Sequence, residues 1–292
     1  MWRDAPSSLF TTETPMLDVK TLIMCAALVN YYMCGGLYVY SKSQKTYPGF
    51  GYWMAATVMV ALTYTLFMLR GVAPNWLTIP VANAIVMISA VFRIEGIKRF
   101  IGRQKFNYWS FWMPVLLFVW HSYFTFVKDN IAIRNIMFTV MTIIVAVWLI
   151  VLLRSNPWAE KKAITNFFIG IIVVYCFFLI IRAIGMFTES PAQGLTANTP
   201  FNSVYFLVVL FFDISWSVCF ILLNGQRMET EIVGLTAQLD ALASVDPLTG
   251  VYNRRKLLEV SEAELSRARR YAHTLSLLIF DLDRFKLIND TY

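Results

Sequence analysis

The chain has 292 residues, of which 58% are hydrophobic and 15% are charged, and its formal net charge is +7. Soluble domains are about half apolar and about a quarter charged, so this composition excludes an ordinary soluble protein and favours a polytopic membrane protein. Lysine and arginine lie mainly in short segments between apolar runs and near the C-terminus, which fits membrane orientation better than binding to nucleic acid.

Seven apolar segments in the first 223 residues are long enough to cross a membrane as helices. A spanning helix needs about 20 mainly apolar residues, because its backbone polar groups must be satisfied within the helix. The segments cover residues 21–40, 52–69, 76–92, 109–126, 136–153, 164–187 and 201–223. We therefore predict an all-α transmembrane domain of seven helices over residues 1–223.

Basic residues are unequally distributed between the two sides of these helices. One side carries Lys42, Lys45, Arg93, Lys98, Arg99, Arg103, Lys105, Arg154, Lys161 and Lys162. The other side carries Arg3, Lys20, Arg70, Lys128 and Arg134. Lysine and arginine accumulate in cytoplasmic segments. We predict a multi-pass membrane protein, in contact with lipid, with its N-terminus outside and its C-terminus in the cytoplasm.

Two charged residues fall inside the predicted helices, Arg182 near the outer end of the sixth and Asp213 about halfway along the seventh. Charges are costly within a membrane, so they suggest a functional role. We predict that the two side chains meet in a sensory site for an unidentified signal ligand. The alternative is that Arg182 extends to the membrane surface. His121, Asn30 and Asn83 are further polar candidates, although such residues more often form interhelical hydrogen bonds.

A polar segment follows the seventh helix and carries apolar residues at alternating spacings of four and three, which is typical of a coiled coil. These residues are Met228, Ile232, Leu235, Leu239 and Leu242. The pattern is short, so a single amphipathic helix that packs on its own domain remains an alternative. We predict a helical stalk over residues 224–245 that joins two chains into a homodimer.

Two blocks near the C-terminus carry the residues suited to chemistry. The first is Asp246-Pro-Leu-Thr-Gly-Val-Tyr-Asn-Arg-Arg, in which Pro247 should end the stalk in a turn. A helix is predicted over 254–271 and a buried strand over 275–280. The C-terminal end of this strand is followed by the second block, Phe280-Asp-Leu-Asp-Arg-Phe-Lys-Leu-Ile-Asn-Asp, which begins at the last strand residue. Carboxylates between a strand and a helix suit Mg²⁺ beside a phosphate, although most Asp-x-Asp pairs are solvated turn residues.

In their residues and in the distance between them along the chain, the two blocks resemble the N-terminal part of a GGDEF-type diguanylate cyclase domain. This resemblance covers residues 246–292 and implies an α/β palm-like fold that joins two GTP molecules into cyclic di-GMP. It implies Mg²⁺ or Mn²⁺ as cofactor, because attack of a ribose 3′-hydroxyl on an α-phosphate needs charge stabilisation. The residues implied are Asp281 and the Leu282 carbonyl for the metal, the amides of Arg284 and Phe285 for GTP phosphates, and Asn289 for guanine.

The resemblance further implies that Asp246, Leu248, Thr249 and Gly250 form a turn that couples the stalk to the catalytic domain. The sequence departs from the family pattern, because it lacks the Gly-His-x-x-Gly-Asp segment and the Gly-Gly-Asp/Glu-Glu-Phe hairpin. These would supply the second guanine contact and the second metal carboxylate. We expect a signal-regulated, membrane-anchored cyclase as the parent protein, and no catalysis by these 292 residues alone. The alternative is a non-catalytic membrane receptor or scaffold.

Overall fold

A computed structural model describes residues 18–103, 108–157, 162–185, 195–242, 244–246, 248–281, 283–284, 286 and 290. The chain divides into two compact units, Met1–Glu229 and Thr230–Tyr292. The helices of the described residues are α1 (Val19–Ser43), α2 (Phe50–Met68), α3 (Ala82–Phe100), α4 (Trp112–Phe126), α5 (Ile131–Arg154), α6 (Ala163–Gly185), α7 (Pro200–Leu242) and α8 (Arg254–Tyr271).

Six helices of the described residues are long and apolar enough to cross a membrane, counting the π-helical turn Leu77–Val81 together with α3. The exception among the seven predicted spans is α4, whose 15 residues correspond to about 22 Å of helix. The 3₁₀ turn Tyr108–Phe111 precedes it and adds about 8 Å. A membrane protein is therefore indicated. Six of the seven predicted spans are long enough, and α4, the fourth along the chain, is not confirmed as a span.

The helix ends follow from local side-chain chemistry. Asp18 accepts a hydrogen bond from the Thr21 amide at 2.9 Å and begins α1, and the Asn130 side chain accepts from the Ile133 amide at 3.0 Å and begins α5. Such caps satisfy amides that have no partner within the helix. Pro80 lies in the π-helical turn before α3, where the wider turn accommodates a residue that cannot donate a backbone hydrogen bond.

Helix α3 extends to Phe100, beyond the end predicted at residue 92. Arg93 and Lys98, which the sequence suggested to be loop charges, are buried on this helix. Lys98 Nζ lies 2.7 Å from Glu95 Oε1, so the charge of Lys98 is compensated within the helix. The predicted helix ends at this run of charged residues, because prediction from hydropathy stops where apolar residues stop. The helix itself continues, because the ion pair reduces the free-energy cost of burying Lys98 and Glu95.

Apolar side chains pack into two cores at opposite ends of the bundle. One core contains Ile23, Phe67 and Phe206, from the starts of α1 and α7 and the end of α2. The other lies at the reverse ends, where Trp53 and Phe220 stack with ring centres 3.9 Å apart. Large apolar side chains also face outward, as lipid contact requires. Among them are Leu28, Tyr32, Val39, Val115, Val119, Val147, Phe177, Ile184 and Phe211.

Two glycines allow close contact in the second core. A Cβ atom at Gly96 would lie 2.1 Å from Trp53 Cδ1, so the indole packs directly on the α3 backbone. Gly49 begins α2 with φ of 106°, and a Cβ there would lie 2.1 Å from the Gly96 carbonyl oxygen. Only glycine fits both the left-handed conformation and the contact.

The unit Thr230–Tyr292 contains the end of α7, a turn and α8. The helix predicted over 254–271 is confirmed as α8, which begins after Asn253. The strand predicted over 275–280 is wrong for this structure, because these residues have no regular secondary structure and the Phe280 side chain is 83% exposed. A strand is stabilised by hydrogen bonds to a neighbouring strand, and the described part of this unit provides none.

Candidate functional site

The Asp246 turn is built around one carboxylate. Asp246 Oδ1 accepts hydrogen bonds from the amides of Leu248 at 3.1 Å and Thr249 at 2.9 Å, and from the Thr249 hydroxyl at 2.9 Å. The Thr249 amide and then its hydroxyl are the main causes that lower the pKa of Asp246 below 3.8. Gly250 has φ of 72° and donates its amide to the Asp246 carbonyl at 2.9 Å. The four residues predicted for a coupling turn thus lie together.

The residues before the turn pair with the residues after it, as two neighbouring antiparallel strands do. Val245 and Tyr252 form an antiparallel bridge, and the Asn253 amide donates to the Ser244 carbonyl at 3.0 Å. The Asn253 side chain then accepts from the Lys256 amide at 3.0 Å and caps α8. The end of α7 and the start of α8 are therefore joined by a hydrogen-bonded turn.

The acidic motif is only partly described. Asp281 is exposed, and Arg284 lies in a turn with φ of 56°. Leu282, Phe285 and Asn289, for which metal and GTP contacts were predicted, lie outside the described residues. No group of three or more histidine, cysteine or acidic residues suited to a metal occurs in the part of the chain that is described. Because Mg²⁺ demands near-octahedral oxygen coordination, the described residues do not form its site by themselves.

In the membrane bundle, the Asp213 carboxylate is buried and is the centre of a polar network. Its Oδ1 lies 3.2 Å from Arg93 Nη2, and its Oδ2 accepts from the Tyr64 hydroxyl at 2.7 Å and from Asn30 Nδ2 at 3.2 Å. The Arg93 guanidinium also lies 4.8 Å from the centre of the Trp216 ring. One carboxylate on α7 therefore connects α1, α2 and α3.

The predicted contact between Arg182 and Asp213 is wrong. The side-chain partners of Asp213 are the three residues of this network, and Arg182 instead lies 3.9 Å from the ring centre of Tyr205. Tyr205 precedes Asp213 on α7 by eight residues, which is about 12 Å along the helix. Arg93 reaches Asp213 because α3 continues as a buried helix.

Arg182 lines a cavity of about 240 Å³ at the end of the bundle where α7 begins. Arg70, Arg134 and His121 line the same cavity. A smaller cavity of about 70 Å³ is lined by Arg93 and Asp213. The lining of both includes Tyr64, Tyr175 and Val209. The sequence suggested loop positions for Arg70 and Arg134. Each is a basic residue directly beside an apolar segment, and this placement is the sequence feature that could have identified them as cavity residues.

Comparison with known proteins concerns the C-terminal segment. Residues 243–292 match the family model described as diguanylate cyclase, GGDEF domain. A diguanylate cyclase of Vibrio cholerae serotype O1 is 48% identical over 63 residues, which are 22% of this chain and 20% of that protein. No solved structure matches the chain.

Two proteins of Escherichia coli K12 are also similar over 63 residues, or 22% of this chain. They are the probable diguanylate cyclase DgcC, 38% identical over 17% of its length, and the diguanylate cyclase DgcM, 41% identical over 15% of its length. The chain covers about a fifth or less of the length of these curated relatives. These matches confirm the resemblance seen in the sequence: the C-terminal segment of the chain is similar to GGDEF-type diguanylate cyclase domains.

Proposed function

We propose that this chain anchors a diguanylate cyclase in the bacterial inner membrane and controls its synthesis of cyclic di-GMP from two GTP molecules. The observation that carries this proposal is the placement of the GGDEF segment, residues 243–292, directly after α7. The first part of α7 is apolar enough to cross a membrane, and the same helix continues to Leu242. A signal received by the bundle therefore has a helical connection toward the catalytic segment.

In the proposed enzyme, Asp281 and the Leu282 carbonyl hold Mg²⁺ or Mn²⁺, which supplies charge stabilisation at the phosphates. The amides of Arg284 and Phe285 contact those phosphates, and Asn289 contacts guanine. These assignments are carried over from the family resemblance. The Asp246 turn, with its four hydrogen bonds, lies near the start of the matched segment.

The proposed enzyme works as a homodimer. Ile232, Leu235 and Leu239 recur on one face of α7, and each is more than half exposed in the unit Thr230–Tyr292. A second copy would cover these side chains in a coiled-coil seam. Because each protomer of this family holds one GTP, such a dimer would bring two GTP molecules into reach of each other.

Catalysis is tested by measuring cyclic di-GMP production by a protein that includes the natural coding sequence downstream of codon 292. Asp281→Ala should lower cyclic di-GMP production by at least about 100-fold, since a metal carboxylate is removed. Glu262→Ala, on the exposed face of α8 and outside both motifs, is the matched control and should retain activity. Full activity of Asp281→Ala would contradict the metal assignment. An encoded stop after Tyr292, or a degenerate downstream motif, would favour the non-catalytic receptor or scaffold.

Topology is tested with a reporter that is active only outside the cytoplasm. We propose that α4 crosses the membrane with its 3₁₀ turn, which gives seven spans and an N-terminus outside. A fusion after Arg227 should then be silent, and one after Arg70 should be active. If α4 does not cross, the fusion after Arg227 becomes active, and the orientation of every later helix reverses.

A further inference from the structure

Three arginines converge on the cavity of about 240 Å³ at the start of α7. They are Arg70 from the segment between α2 and α3, Arg134 from the first turn of α5, and Arg182 from the last turn of α6. No acidic side chain is among the described lining residues. Burial, followed by the positive charges of Arg134 and Arg182, lowers the pKa of Arg70 to about 10. The Arg70 guanidinium therefore remains charged at neutral pH and is repelled by the positive charges of Arg134 and Arg182.

Two of these arginines differ in their contacts: Arg134 pairs with a carboxylate, and Arg70 contacts a neutral group. Arg134 Nη1 lies 2.9 Å from Asp129 Oδ1, and the Asp129 side chain is largely exposed to solvent. Arg70 Nε donates to the Thr78 carbonyl at 3.1 Å, which is a neutral partner. A buried cluster of like charges is costly, and an anion among the guanidinium groups would reduce that cost.

His121 provides a second, independent indication of a ligand. The side chain lines the cavity and is only 2% exposed. Its Nδ1 lies 3.0 Å from the Leu117 carbonyl oxygen, and because a carbonyl can only accept, Nδ1 carries the proton. Nε2 is then an acceptor in the neutral ring, and it forms no hydrogen bond with the described residues. Because the side chain lines the cavity, this nitrogen can accept a hydrogen bond from an O–H or N–H group of a ligand.

Size and lining determine the class of anion. A dry cavity of about 150 Å³ accepts a benzene ring, so a cavity of about 240 Å³ has room for such a ring and one anionic group. Phe67, Phe138, Tyr175 and Phe206 contribute aromatic surface to the lining. Arginine pairs with planar carboxylates through two parallel hydrogen bonds. A small aromatic carboxylate fits this combination, and a compact inorganic anion would leave the aromatic surface uncovered.

We propose that this cavity binds a small aromatic carboxylate, with its anionic group among Arg70, Arg134 and Arg182 and a ligand hydroxyl at His121 Nε2. This proposal gives the ligand class of the sensory role in the proposed function, and it rests on that role for its physiological meaning. Binding itself is measured without cyclase activity, so the two proposals fail separately.

The cavity also contacts the polar network of α7. Tyr64 lines it, and the Tyr64 hydroxyl donates to Asp213 Oδ2 at 2.7 Å. Asp213 in turn pairs with Arg93. A ligand that moves the Tyr64 ring therefore changes a hydrogen bond to α7, which is the helix that precedes the GGDEF segment.

The test uses the purified full chain in detergent, with benzoate and 4-hydroxybenzoate as probes. Calorimetric titration should show binding of both, with 4-hydroxybenzoate tighter because its hydroxyl can reach His121. Benzyl alcohol, the neutral analogue, and inorganic phosphate should bind at least about tenfold more weakly, since a hydrogen bond to a charged group is lost or the ring is absent. Binding of phosphate or of phosphatidylglycerol in preference to the carboxylates would overturn the proposal, as would no binding by either probe at millimolar concentration.

Benzoate binding by single variants tests which residues form the site. Arg182→Gln should weaken benzoate binding by at least about tenfold, and Arg182→Lys should restore little of it, because lysine lacks the planar fork. Arg154→Gln is the matched control, since Arg154 lies at the opposite end of α5 and does not line the cavity. His121→Phe should remove the preference for 4-hydroxybenzoate while benzoate still binds. Equal binding by the wild type, Arg182→Gln and Arg154→Gln would overturn the assignment.

Discussion

The two units of this chain use charged residues in opposite ways. In Met1–Glu229, Arg93 and Asp213 are buried and paired across helices. In Thr230–Tyr292, the ion pair Arg267–Glu264 lies on the exposed surface of α8, and no residue of that helix is buried. An exposed pair contributes about 0–1 kcal/mol, whereas loss of one partner of a buried pair costs about 3–5 kcal/mol. The buried pair is therefore expected to contribute more to the stability of the membrane bundle than the exposed pair contributes to that of the second unit.

The largest expected effect breaks the buried network. Arg93→Gln and Asp213→Asn should each destabilise the bundle by about 3 kcal/mol, because each leaves a charge without its partner. The double variant should lose less than the sum of the two. Thermal unfolding in detergent measures this. Arg182→Gln combined with Asp213→Asn is the control, and its coupling should be smaller. Strict additivity for Arg93 and Asp213 would contradict the network.

A smaller effect is expected where α3 contacts Trp53. Gly96→Ala should cost about 1–3 kcal/mol, because the added methyl group overlaps the indole in a filled core. Gly170→Ala on α6 is the control, since its added Cβ would meet no described atom within 4 Å beyond its chain neighbours and the backbone of its own helix. Alanine is the better helix former there, so that variant should match or exceed the wild type in melting temperature. Equal melting temperatures for Gly96→Ala and the wild type would show that the contact is loose.

The third prediction concerns the exposed apolar face at the end of α7. Single cysteines at Leu235 and Leu239 should cross-link between chains several-fold faster than a cysteine at Thr236, because a coiled-coil seam brings only its own positions together. Cross-linking in native membranes, followed by gel electrophoresis, measures the rates. Equal rates at the three positions would mean that this face packs within its own domain, as in the alternative of a single amphipathic helix.

The smallest effect is expected at the Asp246 turn. Hydrogen bonds lower the pKa of Asp246 below 3.8, so its carboxylate stabilises the turn above that pH and loses this contribution as pH falls through the lowered pKa. Amide hydrogen exchange at Leu248 and Thr249 should accelerate over that range in the wild type. Asp246→Asn should show no such acceleration beyond the intrinsic pH dependence. The same pH profile in both proteins would exclude the carboxylate as the cause.

Much of the helical architecture could be predicted from the sequence, because spanning helices and caps depend on local residues. The bounds of α8, for example, agree with the helix predicted over 254–271. Partners across helices could not be predicted. The sequence indicates a loop position for Arg93, because hydropathy cannot distinguish a charge that ends a helix from one that is paired inside the bundle. The partner of Asp213 depends on how far α3 extends, and that depends on tertiary packing.

The segment 275–280 has a practical consequence for handling the protein. It reads Leu-Ser-Leu-Leu-Ile-Phe, with neither a charge nor a proline, and its apolar side chains are more than half exposed. Short uncharged stretches of this kind nucleate intermolecular β-sheets when other structure does not cover them. Self-association through these six residues should therefore limit the solubility of the purified chain, and a single lysine at Leu278 should reduce aggregation without disturbing the membrane bundle.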